Sequence, residues 1–178
     1  MNNIIILLLF ILSIVNFVIV GSYNFISILT IITFIFLLFV PKIFSKFVSK
    51  RIEFWYLFFL VLAYFLGIIF DLYKIISWYD SFVHFISGIF GSFIAVFIYL
   101  KFNNTKEKIF GDLFVFSFSM MIAGLWEILE FFLSNLLGVD MQNVLTTGIN
   151  DTMKDIVCAL LGTIILIVFR RSMINCER

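Results

Sequence analysis

Six stretches of this chain are each long and apolar enough to approach the width of a bilayer, and that repetition leaves little choice of fold. They cover residues 4–20, 25–40, 54–70, 82–100, 113–137 and 152–169, against the roughly 20 apolar residues that a spanning helix needs. With 63% hydrophobic and 13% charged residues and a mean hydropathy of +1.20, a chain of 178 residues has no stretch left for a separate soluble module. The expected fold is therefore all-α: a single polytopic transmembrane domain over residues 1–178, a bundle of six spans. Residues 1–41 are expected as a peripheral hairpin closed by the short 21–24 link, with Pro41 stopping its second span. Residues 54–170 are expected as a four-span core that carries the motifs. The first stretch has no basic segment before it and no small-residue cleavage site before Tyr23, so it reads as a retained span and not as a leader. No internal repeat is visible.

Charge sets the topology. Lys42, Lys46, Lys50 and Arg51 follow the second span, Lys101, Lys106 and Lys108 the fourth, and Arg170, Arg171 and Arg178 the sixth. Only Lys74 and Lys154 fall on the opposite side. The positive-inside rule makes the basic side cytoplasmic, so both termini are expected inside, in a multi-pass plasma-membrane protein. Within 42–53, Lys42, Lys46 and Lys50 recur at helical spacing opposite Ile43, Phe44, Phe47 and Val48. Two readings stand for that segment: an interfacial helix on anionic lipid, or a basic stop-transfer loop.

The same composition excludes other classes. A net charge of +1 without a basic, aromatic-interleaved patch argues against nucleic acid as a partner, leaving membrane lipids as the expected surroundings. Two cysteines, Cys158 in an apolar segment and Cys176 in the tail, make neither a disulfide framework nor a thiolate zinc site.

Against this background six hydrogen-bonding side chains stand out: Asp80, His84, Glu127, Glu130, Asp151 and Asp155. An ionised side chain near the centre of a bilayer costs at least about 2.5–3.5 kcal/mol, and one found in a span is a functional candidate. The six fall as three pairs, spaced four, three and four residues apart, each pair on one face of its own helix. His84 and Asp155 lie about one turn, roughly 6 Å, below the non-cytoplasmic helix ends. Glu130 is expected at similar depth with Glu127 one turn deeper, so the six converge on one level.

Each pair also has a plainer reading. Asp80 can cap its helix N-terminus, and a lone membrane histidine such as His84 can simply bridge two helices. However, Gly88, Gly91, Ser92 and Ala95 continue the His84 face with small residues, which turns it toward protein. Thr152-x-x-Asp155 matches a capping box, and Lys154 can neutralise Asp151 or Asp155 locally. Ala159 and Gly162 nevertheless extend the Asp155 face. Glu127 and Glu130 sit far from any helix start, with no Lys or Arg in their span. Two carboxylates that close either share a proton or are neutralised together by a cation. Asp71 with Lys74 reads as a loop ion pair, and Asp140 as a solvated loop acid.

The ordered set Tyr79-Asp80-x₃-His84-Phe85-x₂-Gly88, Trp126-Glu127-x₂-Glu130 and Asp151-Thr152-x₂-Asp155-x₆-Gly162 resembles the YjdF-like family of bacterial inner-membrane proteins. More distantly it is similar to the VanZ-like group, whose Asp-x₃-His-Phe and later Asp-x₆-Gly elements recur here. The resemblance runs from about the third span to the end and implies a bacterial inner-membrane architecture without supplying an activity. Glu130 departs from the Gln typical of the VanZ-like group, whose association with glycopeptide resistance is not carried over.

Three functions compete for the polar site. In the first, Asp80, His84, Glu127, Glu130, Asp151 and Asp155 bind one or two divalent ions, and Glu127 and Glu130 serve catalysis on a lipid head group or another amphiphile. Five carboxylates and an imidazole form a hard ligand set suited to Mg, Mn, Fe or Zn. In the second, the same acids form the titrating site of a cation- or proton-coupled transporter, although no span is broken mid-membrane. In the third, the polar core only holds together a non-catalytic envelope-stress or resistance accessory protein.

Overall fold

The structure, a computed structural model, describes residues 2–20, 25–43, 49–102 and 108–176, with the backbone alone given for residues 20, 25, 26 and 171–176. The 21–24 link and residues 44–48, the middle of the expected interfacial helix, lie outside the described residues. So do Lys106 and Arg178. All the regular structure described is helical. Five helical segments are long and apolar enough to cross a membrane: Asn2–Ile19, Lys50–Ile69, Tyr79–Phe102, Lys108–Leu137 and Asn150–Arg170. The second expected span appears as a shorter apolar helix, Ser27–Ile43. The chain divides into two compact units, Met1–Tyr79 and Asp80–Arg178.

In the first unit, α1 (Asn2–Val20) and α2 (Phe25–Ile43) pack with α3 (Lys50–Leu60), which a π-helical stretch (Val61–Ile69) continues. Their shared core is Ile6, Leu9, Phe34, Leu38, Leu57, Leu60 and Phe65, fully apolar where three apolar helices meet. Pro41 does not stop α2, which runs on to Ile43 with Pro41 in its last turn. Proline has no N–H, so the carbonyl of Leu37, four residues back, loses its helical partner. The Tyr56 hydroxyl donates to that carbonyl at 3.0 Å and supplies what the proline removed. The Tyr64 hydroxyl likewise reaches Thr30 O at 3.1 Å. Lower on the same unit, buried Glu53 pairs with Lys42 and accepts from Asn2 Nδ2 at 2.9 Å, so this acid is neutralised within its own unit. A short α4 (Leu72–Ile75) follows, where Asp71 and Lys74 form the expected ion pair at 2.8 Å.

The second unit is built from α5 (Tyr79–Phe102), α6 (Lys108–Leu137), a short α7 (Val144–Thr147) and α8 (Asn150–Cys176). Both α5 and α8 start before the apolar runs do. Asp80 and Asp151 therefore sit in the first turns, where a carboxylate still suits the positive dipole end, rather than at cap positions. Thr152 is already helical, so the capping box of Thr152 and Asp155 does not form, and Asp155 is left free to face inward.

Glycine sets how closely these helices approach. A methyl group at Gly88 would overlap the Ala159 carbonyl, and one at Gly162 would overlap the Phe85 carbonyl, so α5 and α8 each carry a notch filled by the other's backbone. Gly91 of α5 lies against Ser119 of α6. Ser119 Oγ donates to Gly88 O at 3.0 Å and lies 2.8 Å from Thr163 Oγ1, so one buried cluster of hydroxyls ties α5, α6 and α8 together. Gly124 plays no such part, having no neighbour where a side chain would go. At the far end, Arg170 of α8 lies 3.7 Å from Asp112 of α6 and over the ring of Tyr99 of α5.

Candidate functional site

Asp80 and His84 are one turn apart on α5, Glu127 is on α6 and Asp155 on α8, and the glycine-set approach of these helices brings the four together. His84 Nε2 lies 3.6 Å from Asp80 Oδ1 and 3.9 Å from Glu127 Oε1. One ligand atom each from Asp80, His84 and Asp155 falls within 4.8 Å of the other two. These separations are too long for direct hydrogen bonds. They match instead the roughly 3–4 Å between neighbouring donors around an ion held at about 2.0–2.6 Å.

Burial makes the arrangement demanding. Asp155 is 3% exposed, while His84 and Glu127 are each 6% exposed. Glu127 Oε1 and Asp155 Oδ1 are buried without a hydrogen bond among the described residues. A buried carboxylate oxygen with no partner is strongly destabilising unless a proton or cation completes it. Both orphaned oxygens belong to the set that surrounds His84, the only histidine in the chain.

The other two acids of the set have their own partners. Asp151 is buried, but its Oδ2 accepts from Asn143 Nδ2 at 2.6 Å and its Oδ1 from Lys154 Nζ at 2.7 Å. Both of its oxygens are engaged. Glu130 takes the indole N–H of Trp126 at 2.6 Å, a bond within α6 and on its more exposed face.

Two loop amides complete the site, and helical spacing could not have found them. Gln142 is buried, and its Nε2 donates to both the backbone carbonyl and Oε2 of Glu127, at 3.2 Å each. It holds Glu127 by one oxygen and leaves Oε1 turned to His84. Asn143 adopts a left-handed conformation, φ 51°, which asparagine tolerates better than most residues, and from there reaches Asp151. Asp140 is exposed in the loop, as expected, and also accepts from the backbone N–H of Val144 at 2.8 Å and of Leu145 at 3.0 Å. It thereby anchors α7 beside the two amides. The one sequence signal for these groups is the run Asp140-Met141-Gln142-Asn143 ahead of an apolar Val144-Leu145 pair, which a solvated loop would show equally well.

A family model described as "Predicted membrane protein (DUF2238)" matches residues 1–175. The chain belongs to this family. The match takes in both units and every residue of the site. No curated protein and no solved structure matches the chain. For this member of a membrane-protein family, the chemistry of the site therefore has to come from its own residues.

Proposed function

We propose that α5, α6 and α8 hold a divalent metal centre facing the non-cytoplasmic side, and that the protein is a membrane-embedded hydrolase. Asp80, His84 and Asp155 are its ligands, and Glu127 either joins them or takes the proton from the attacking water. Glu130, on the next turn of α6, is the second catalytic acid. Asp151 holds Lys154 and Asn143 at the rim. The observation that carries this reading is the pair of buried, unpartnered oxygens, Glu127 Oε1 and Asp155 Oδ1, set around His84. Such a centre polarises an ester and activates water for attack on a lipid head group or another amphiphile. The donor set is hard and suits Mg, Mn, Fe or Zn. A narrower kinship with the YjdF-like proteins rests on the ordered motifs of spans four to six, and the bacterial inner membrane follows from it.

The test is metal analysis of the full chain purified in detergent without chelator. A divalent ion should co-purify, and His84→Ala and Asp155→Asn should each lose most of it while keeping the elution profile of the unmodified protein; Glu127→Gln loses it too where Glu127 is a ligand and keeps it where Glu127 is the base. Metal-free protein that takes up no Mg, Mn, Fe or Zn on dialysis would overturn the assignment.

A further inference from the structure

Glu127 also lies at the end of a groove that the metal reading does not use. The groove has a volume of about 400 Å³ and is lined by Ile128 and Phe131 of α6, Val144 of α7, Ile149, and the polar trio Glu127, Gln142 and Thr152. That volume is within the range of small-molecule sites, about 300–1,000 Å³. Its walls and its end differ in kind. Ile128, Phe131, Val144 and Ile149 are all exposed, on or beside a helix that is apolar enough to span the membrane. Glu127 and Gln142 at the end are more than nine-tenths buried and hydrogen-bonded to each other.

A groove with this polarity is complementary to an amphiphile: a hydrocarbon chain along the wall and a polar group at Glu127. Charge narrows the choice. Among the described residues of this end, Asp80, Glu127, Glu130, Asp151 and Asp155 face Lys154, and Lys154 is already held by Asp151. With one divalent ion in the proposed centre, the five carboxylates still outweigh the ion and Lys154, and an end left net negative suits a head group carrying an ammonium and disfavours one with net negative charge. The groove also shares a residue with the proposed centre, because Glu127 lines it together with Gln142, which holds Oε2, while Oε1 lies 3.9 Å from His84.

We infer that this groove seats one acyl chain of an amine-bearing, net-neutral phospholipid and delivers its head group to Glu127. The inference rests on the metal-centre reading for what happens to the lipid, but not for its binding. The lipid reaches the site sideways from the bilayer, between α6 and the α7 segment, so the substrate never leaves the membrane. Gln142 then has two duties: it orients Glu127 and it forms the polar stop at which the chain ends.

The experiment uses the full chain in phosphatidylcholine vesicles containing a trace of phosphatidylethanolamine with a photoreactive group in its acyl chain. After illumination, adducts should concentrate on the peptides holding Ile128–Phe131 and residues 144–149, severalfold above those at Val168 and Phe169, which are equally exposed apolar positions on α8. Val144→Trp and Ile149→Trp, which fill the groove from two sides, should each abolish the excess while leaving metal content unchanged. Equal labelling of groove and control positions overturns the inference, as does an excess that survives both tryptophans. Phosphatidylglycerol bearing the same chain and labelling the groove as strongly overturns the head-group assignment. A photoreactive residue at position 144 that captures a second copy of the chain gives this face to an oligomer instead. The two readings fail separately: groove labelling without co-purifying metal removes the hydrolase, and metal without groove labelling removes the lipid groove.

Discussion

Asp151 and Asp155 stand one helical turn apart on α8, equally acidic and both buried, yet their surroundings assign them different work. The oxygens of Asp151 are taken by Asn143 and Lys154, whereas Asp155 brings an oxygen within 4.8 Å of ligand atoms of Asp80 and His84, and its Oδ1 has no hydrogen bond among the described residues. Asp151→Asn should therefore retain the bound divalent ion and Asp155→Asn should lose it, as read by mass spectrometric metal analysis; the reverse order would contradict the ligand assignment. The choice between these two was not legible in the sequence, where both share one helical face. It is made by Asn143, a loop residue whose reach depends on a positive φ. A second residue-scale prediction concerns Tyr56. Its hydroxyl satisfies the Leu37 carbonyl that Pro41 orphans, so Tyr56→Phe should destabilise the protein by about 1–3 kcal/mol, the usual effect of leaving a buried acceptor unpaired. Thermal unfolding in detergent micelles measures it, and no change would show that water reaches that carbonyl.

For α5, α6 and α8, the features that decide packing were partly written in the sequence. Small residues at helical spacing beneath His84 and Asp155 pointed to close helix approach, and Gly88 and Gly162 meet the opposing backbones as that stripe implies. Gly124 carries the same letter on α6 and meets nothing, because composition does not say which face of a uniformly apolar helix is turned inward. Gly88→Leu and Gly162→Leu should each destabilise by at least the roughly 1–3 kcal/mol typical of overpacking, since the displaced atoms are backbone and cannot yield. Gly124→Ala should be neutral or slightly stabilising by helix propensity. Melting temperatures of the three variants, measured side by side, test the contrast; a Gly88→Leu protein as stable as the original would remove the notch from the account. The π-helical continuation of α3 had no sequence signal at all. Val61–Ile69 is apolar at nearly every position, so there is no polar contrast whose period could separate one helix type from another.

At the scale of the whole molecule, the all-helical membrane fold was readable because long apolar runs admit few alternatives. The number of crossings was less so: five segments are long and apolar enough to cross, while the helix Phe25–Ile43 is described with its side chains only from Ser27. The basic residues that cluster after alternate spans lead us to expect both termini inside. A cysteine introduced at position 103 should then react with impermeant reagent only after the membrane is breached, and one at Gly138 should react in intact cells. The opposite pattern would invert the site toward the cytoplasm. The paired notches at Gly88 and Gly162 bear on what kind of machine this unit can be. A carrier that alternates access by sliding one helix along another would carry the Ala159 and Phe85 carbonyls off these glycines and onto neighbours such as Ser87, Ile89, Leu161 and Thr163, which bear side chains. We therefore expect α5, α6 and α8 to keep one arrangement, and motion at the site to fall to the 138–149 segment beside them. Fluorine labels on α5 and α8 should accordingly report one environment with and without metal, while a label at Leu145 reports more than one.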